Sequence, residues 1–184
     1  MPESGETVRT FVAVLLSEAA AREAERLLDR LRPLARCRWV TRAQLHITLR
    51  FLGELSPAAV ERVRSAVAAV AVQPFDIELH RAGAFPDLAR PRTLWLGGDR
   101  GASELTALAG RVNDALFGVG IPRNDRPFSP HLTLARSDGS PLPPALMREL
   151  ERVPSVAWRC SDISLMRSRD RKSTRLNSSH TNLS

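Results

Sequence analysis

Thr10 to Leu16 is a short apolar run of the kind a buried strand makes, and at Ser17 it gives way to a helical period from Glu18 to about Leu34. Leu45 to Leu52 alternates polar and apolar residues at period two. Ser56 as a cap and Pro57 at the first helical position then open a second helical stretch reaching Val72. Strand followed by helix thus occurs twice. Phe75, Ile77 and Leu79 alternate with Asp76, Glu78 and His80 as a half-buried strand; Gly83 to Arg92 reads as a loop, and Thr93 to Leu96 as a strand stopped by Gly97 and Gly98. Leu105, Leu108, Val112 and Leu116 recur at helical spacing and predict an amphipathic helix over 104–117, closed by Gly118 and Gly120. His131 to Ala135 alternates again as a strand, Pro144 to Arg152 can form a short helix, and Val156 to Trp158 and Ile163 to Met166 close the pattern as strands. This order predicts an α+β fold with two similar halves.

Each half carries one strand reading His-x-Thr-x, at His46 to Leu49 and at His131 to Leu134. Side chains at i and i+2 of a strand leave the same face, so His46 stands beside Thr48 and His131 beside Thr133, while Ile47, Leu49, Leu132 and Leu134 turn to the core. If a pseudo-twofold axis relates the halves, the two pairs converge on one cleft. Two imidazoles with ordinary pKa values near ~6.5 can then divide the work of a general base and a general acid at neutral pH. Two threonine hydroxyls can donate to the non-bridging oxygens of a phosphate. One such strand means little, because Thr favours strands for steric reasons and a single histidine is usually structural. Two in the same register, each followed by Leu and with an arginine nearby (Arg50 and Arg136), point to a site. By alternation Arg50 faces the same side as His46 and Thr48. Phe51 is expected in the core, His80 on the surface.

Composition narrows the class more than the chemistry. With 184 residues, 43% hydrophobic and 26% charged, the chain suits a globular domain, and no apolar stretch approaches the roughly 20 residues of a membrane helix. The first residues, with Glu3 and Glu6, do not resemble a secretion signal, so a cytoplasmic protein is expected. Cys37 and Cys160 are then free thiols. The net charge of +7 suits an anionic partner, but Arg169, Arg171, Lys172 and Arg175 against Asp170 supply three of those charges from a stretch without hydrophobic period. Residues 169–184 resemble translated sequencing-adapter read-through and are read as a disordered, non-native tail behind a domain of residues 1–168. No carboxylate or further histidine stands at ligand spacing beside either strand, so no metal and no cofactor is expected.

The segments His46-Ile47-Thr48-Leu49-Arg50-Phe51-Leu52-Gly53 and Pro130-His131-Leu132-Thr133-Leu134-Ala135-Arg136 resemble the twin motifs of the two-histidine phosphoesterase superfamily. Within it, Arg9-Thr10-Phe11-Val12-Ala13, Trp39-Val40, Phe85-Pro86 and Leu94-Trp95-Leu96-Gly97 are similar to the LigT-like branch of RNA 2′,3′-cyclic phosphodiesterases, also called 2′-5′ RNA ligases. The resemblance covers about Val8 to Ser168. It implies a bilobal α+β fold whose antiparallel sheets line a central cleft, with helices outside. It also implies hydrolysis of RNA 2′,3′-cyclic phosphate ends, tRNA fragments among them, to 2′-phosphates, with 2′-5′ joining as the reverse reaction. By motif position His46 corresponds to the proton donor and His131 to the proton acceptor. Thr48 and Thr133 correspond to the phosphate-binding residues, and Arg136, Arg50, Phe85 and Phe128 are further candidates for contact with phosphate or RNA. A monomer is expected, with RNA and no membrane as partner. The alternatives are another cyclic phosphate, such as a cyclic nucleotide or ADP-ribose 1″,2″-cyclic phosphate, and a non-catalytic RNA-binding module.

Overall fold

The computed structural model describes residues 7–169 and 172–178. Strand β1 (Val8–Leu15) is buried on both faces, which is why it reads as a continuous apolar run: Val12 and Val14 enter the main core, whereas Phe11 and Ala13 pack with Met166 in a smaller cluster. Helix α1 (Glu18–Leu31) starts where Ser17 Oγ accepts the Ala20 N–H at 3.2 Å, and it buries Ala20, Ala24, Leu27, Leu28 and Leu31 as one stripe. It stops at Leu31, three residues short of the expected end. Arg32–Leu34 tightens into a 3₁₀ turn because Pro33 has no N–H to continue the α ladder. A short strand β2 (Arg38–Trp39) and then β3 (His46–Leu55) follow, and helix α2 (Pro57–Ala68) is capped by Ser56 and ends earlier than the period predicted.

The rest runs β4 (Phe75–Leu79), β5 (Arg81–Phe85), β6 (Thr93–Gly97), α3 (Ala102–Phe117), β7 (Leu132–Arg136), α4 (Pro144–Leu150), β8 (Val156–Cys160) and β9 (Ser164–Arg169). One antiparallel sheet orders its strands β9-β1-β3-β7-β6-β5, with β2 also on β7, and β4 pairs with β8 in a separate ribbon. The α+β class with antiparallel sheets is as expected. The halves β9-β1-β3 and β7-β6-β5 join through a single residue pair, Ile47 opposite Leu132. That seam is what places the site.

Strand β5 occupies part of the expected loop from Gly83. Glycine there weakens the strand signal, yet the fold requires it: Gly83 lies opposite Trp95, and a Cβ added to it would come within 2.3 Å of the indole. Gly83→Ala should therefore destabilise the protein by about 1–3 kcal/mol, the usual range for overpacking, as a lowered midpoint of urea unfolding. An unchanged midpoint would show that Trp95 yields without cost. A further strand, β10 (Lys172–Ser178), lies antiparallel along β9, within the tail that the sequence left without structure. A strand edge pairs through backbone groups that any residue but proline supplies, so absence of side-chain period does not forbid it. Residues 170–171 and 179–184 of that tail lie outside the described residues.

Candidate active site

The pair Ile47 and Leu132, both fully buried, points into the core, so their neighbours point the other way. Reading on from that antiparallel pair, His46 comes beside Thr133 and Thr48 beside His131, leaving the two histidines on the diagonal of a square. All four residues line one cleft of about 900 Å³. The same cleft carries Arg136, whose Nη1 donates to Thr93 Oγ1 at 2.6 Å. Arg9, Phe11, Arg38 and Trp39 also line it.

Each imidazole has a backbone carbonyl two residues earlier, in the segment leading into its strand, but only His131 is hydrogen-bonded to it. His131 Nδ1 is 2.7 Å from the carbonyl oxygen of Ser129, two residues earlier; a carbonyl only accepts, so Nδ1 carries the hydrogen and Nε2 keeps a free lone pair for the cleft. At His46 the corresponding carbonyl, that of Gln44, favours the protonated ring, although buried Nδ1 forms no hydrogen bond within ordinary geometry. Each ring also rests on a phenylalanine. Phe11 lies 4.7 Å from His46 between centroids, tilted by 31°, and Phe85 meets His131 edge-on at 5.0 Å and 85°. Burial pushes the His46 pKa down to about 4, with the charge of His131 acting the same way, and burial also lowers His131, helped by Arg136. Both rings are thus mostly neutral at pH 7.

This has a consequence for stability. Between about pH 6.5 and 4 the unfolded chain binds a proton at His46 that the folded chain refuses. The contribution from neutral His46 is therefore complete above pH 6.5 and falls away as pH drops toward 4, by roughly 3 kcal/mol at most at 1.36 kcal/mol per unit. His46→Gln, which cannot titrate, should flatten that part of the stability curve in urea titrations. An equally steep curve in the variant would place the acid sensitivity elsewhere.

Two expected positions exchange roles. Register shifts at Thr48–Arg50 and at Phe51–Gly53 make β3 advance two residues for one on β1, so Leu49 and then Arg50 both turn inward and Phe51 turns out. Arg50 is buried, not on the His46 face: its Nη1 donates to Asn113 Oδ1 at 2.9 Å and its Nη2 to the carbonyl of Pro122. Phe51 is 64% exposed instead of buried in the core. It borders the cleft and also a side pocket of about 510 Å³, walled by Phe85, Phe128, Arg126 and Asn124 among others. Phe85 and Phe128 are half-buried in that wall, and His80 is on the surface as expected. Phe11, Arg9 and Arg38 were not read as site residues from composition or period; a strand buried on both faces has no alternation to reveal which face Phe11 takes. Among the described residues, no three His, Cys, Asp or Glu side chains gather as a metal site would need, and no helix is long and apolar enough to cross a membrane.

Comparison with known proteins gives one family. Residues 17–172 match the 2′-5′ RNA ligase superfamily. An RNA 2′,3′-cyclic phosphodiesterase of Aeropyrum pernix is 37% identical over 122 residues, covering 66% of this chain and 69% of that protein. One of Methanothermobacter thermautotrophicus is 30% identical over 167 residues, covering 88% and 90%. The crystal structure of Escherichia coli LigT complexed with 3′-AMP superposes with a TM-score of 0.73 at 26% identity, covering 94% of this chain and 97% of that one.

Proposed function

The chain belongs to the 2′-5′ RNA ligase superfamily, and from that premise we propose that it hydrolyses RNA 2′,3′-cyclic phosphate ends to 2′-phosphomonoesters by two-histidine acid–base catalysis without a metal. One observation carries the reading: the Ile47–Leu132 pair sets two imidazoles and two threonine hydroxyls around one cleft. A cyclic phosphate monoanion seated among them receives hydrogen bonds from Thr48 and Thr133, and the Arg136 guanidinium balances its charge. That anion also opposes the burial that keeps the rings neutral, so binding favours a protonated imidazole. His131 Nε2 takes the proton of the attacking water as its oxygen bonds phosphorus. His46 gives a proton to O3′ as the P–O3′ bond breaks, and the 2′-phosphate remains.

The substrate is RNA, with tRNA fragments as a specific class, and the protein acts as a monomer in the cytoplasm; free thiols at Cys37 and Cys160 suit a reducing compartment. We also hold residues 169–184 to be non-native, on their composition, so a chain ended at Ser168 should keep the kcat/KM of the full chain. Incubation with an RNA ending in a 2′,3′-cyclic phosphate, in EDTA, should yield the 2′-phosphate. A 3′-phosphate product, loss of turnover in EDTA, or preference in a panel for a cyclic nucleotide or ADP-ribose 1″,2″-cyclic phosphate would overturn it.

A further inference from the structure

Arg136 stands inside a row of side chains that crosses four strands. Arg38 on β2 and Thr93 on β6 are its direct partners on either side, and Phe85 on β5 is opposite Thr93. Residues directly opposite in antiparallel pairs leave the same face of a sheet, so the row Arg38-Arg136-Thr93-Phe85 shares the face that carries the cleft. Arg38 and Arg136 line that cleft, and the Phe85 ring meets His131. Two like charges directly opposite repel. Among the described residues, no carboxylate pairs with Arg136 or Arg38, so no acid holds either guanidinium in place.

What holds Arg136 is Thr93. Its Oγ1 accepts the Arg136 Nη1–H at 2.6 Å, and Thr93 is only 5% exposed although Arg136 itself reaches solvent. A long arginine side chain has many rotamers to lose when it grips a ligand, whereas a β-branched threonine buried in a strand is stiff about χ1 and keeps its oxygen in one place. The β6–β7 pairing sets that oxygen opposite Arg136, and the Ser137 N–H, donating to the Arg92 carbonyl at 3.0 Å, carries the pairing past them. With Nη1 engaged, the Nε and Nη2 edge of the guanidinium is left for two oxygens of one phosphate. Thr93 lines neither the cleft nor the side pocket, so it reaches the reaction only through Arg136.

We propose that Thr93 is a positioning residue, whose buried hydroxyl sets the Arg136 guanidinium at the phosphate before substrate arrives. The proposal rests on the hydrolytic reading and on Arg136 as a contact to the cyclic phosphate. Fixing the guanidinium in advance spares binding the cost of ordering a free side chain, and it keeps Arg136 from swinging away from the charge of Arg38.

The test is steady-state kinetics of the full chain on an RNA ending in a 2′,3′-cyclic phosphate, read as KM, which does not depend on how much of the protein is folded. Thr93→Val keeps the shape of the side chain and removes the acceptor; it should raise KM about tenfold, the scale of one hydrogen bond to a charged group. Thr93→Ser keeps the hydroxyl and loses only a methyl group, so KM should stay close to that of the unaltered protein. Arg136→Met keeps the length of the stem and removes every donor, and it should raise KM by at least as much as Thr93→Val. Thr93→Val added to Arg136→Met should then change KM no further, because the two residues act through one bond. An unchanged KM in Thr93→Val, an equal rise in Thr93→Ser, or a full further rise in the Arg136→Met background would overturn the positioning role, and Thr93 would serve only the packing of β6. An unchanged KM in Arg136→Met would instead remove the phosphate contact beneath the proposal, and absence of hydrolysis in the unaltered protein would remove the hydrolytic reading; either would take the role of Thr93 with it.

Discussion

His46→Ala and His131→Ala should each lower kcat/KM on an RNA 2′,3′-cyclic phosphate by about 10²- to 10⁴-fold, the usual contribution of a general acid or base. The structure supports so large a loss because each imidazole lines the cleft beside its own phenylalanine, with Nε2 of His131 left free by the bond from Nδ1 to Ser129. Nothing else titratable among the lining residues can replace either ring: the remaining polar members of the square are threonines, and the nearby cations are arginines that do not release protons. Thr48→Ala or Thr133→Ala should cost less, since each removes one hydrogen bond to phosphate among several. The double variant His46→Ala, His131→Ala should be little worse than either single one, because an acid without its base leaves the step as blocked as losing both. Steady-state rates on the purified proteins check this. A fully multiplicative double loss would mean that the two rings act in separate steps.

The location of this square was legible because a period-two pattern says which residues share a face, and because the same pattern occurred twice. What the pattern lacked was the bulge. Alternation carries His46 and Thr48 correctly to the cleft and Leu49 to the core, then fails after Leu49, where β3 gains a residue relative to β1; beyond it Arg50 and Phe51 exchange the faces expected of them. No local signal marks the bulge, since Leu49 and Arg50 are both acceptable in a strand and the extra residue is specified by what β1 offers opposite. Strand β5 was hidden for a related reason: Gly83 is a loop residue by propensity and a strand residue here only because Trp95 lies over it. The side pocket was out of reach altogether. Its wall is the irregular stretch before His131, and what fixes that stretch is a buried arginine 72 positions away from the carbonyl it binds.

Burial lowers the pKa of both rings, and it lowers that of His46 to about 4. A ring so reluctant to hold a proton becomes a donor with the phosphate anion beside it, and a donor of that kind matters most when the departing oxygen is strongly basic. A ribose hydroxyl is such a group; a p-nitrophenolate is not. On a nucleoside phosphodiester that releases p-nitrophenolate, His46→Ala should therefore recover most of its lost activity, coming within about tenfold of the unaltered protein, because the whole 10²- to 10⁴-fold contribution of the acid is no longer required. His131→Ala should remain as impaired as on RNA, since water still has to lose its proton. The comparison uses the same two proteins and changes only the leaving group, so misfolding would depress both substrates alike and cannot imitate selective rescue. Rescue of His131→Ala with His46→Ala left inactive would reverse the roles while leaving the site where it is.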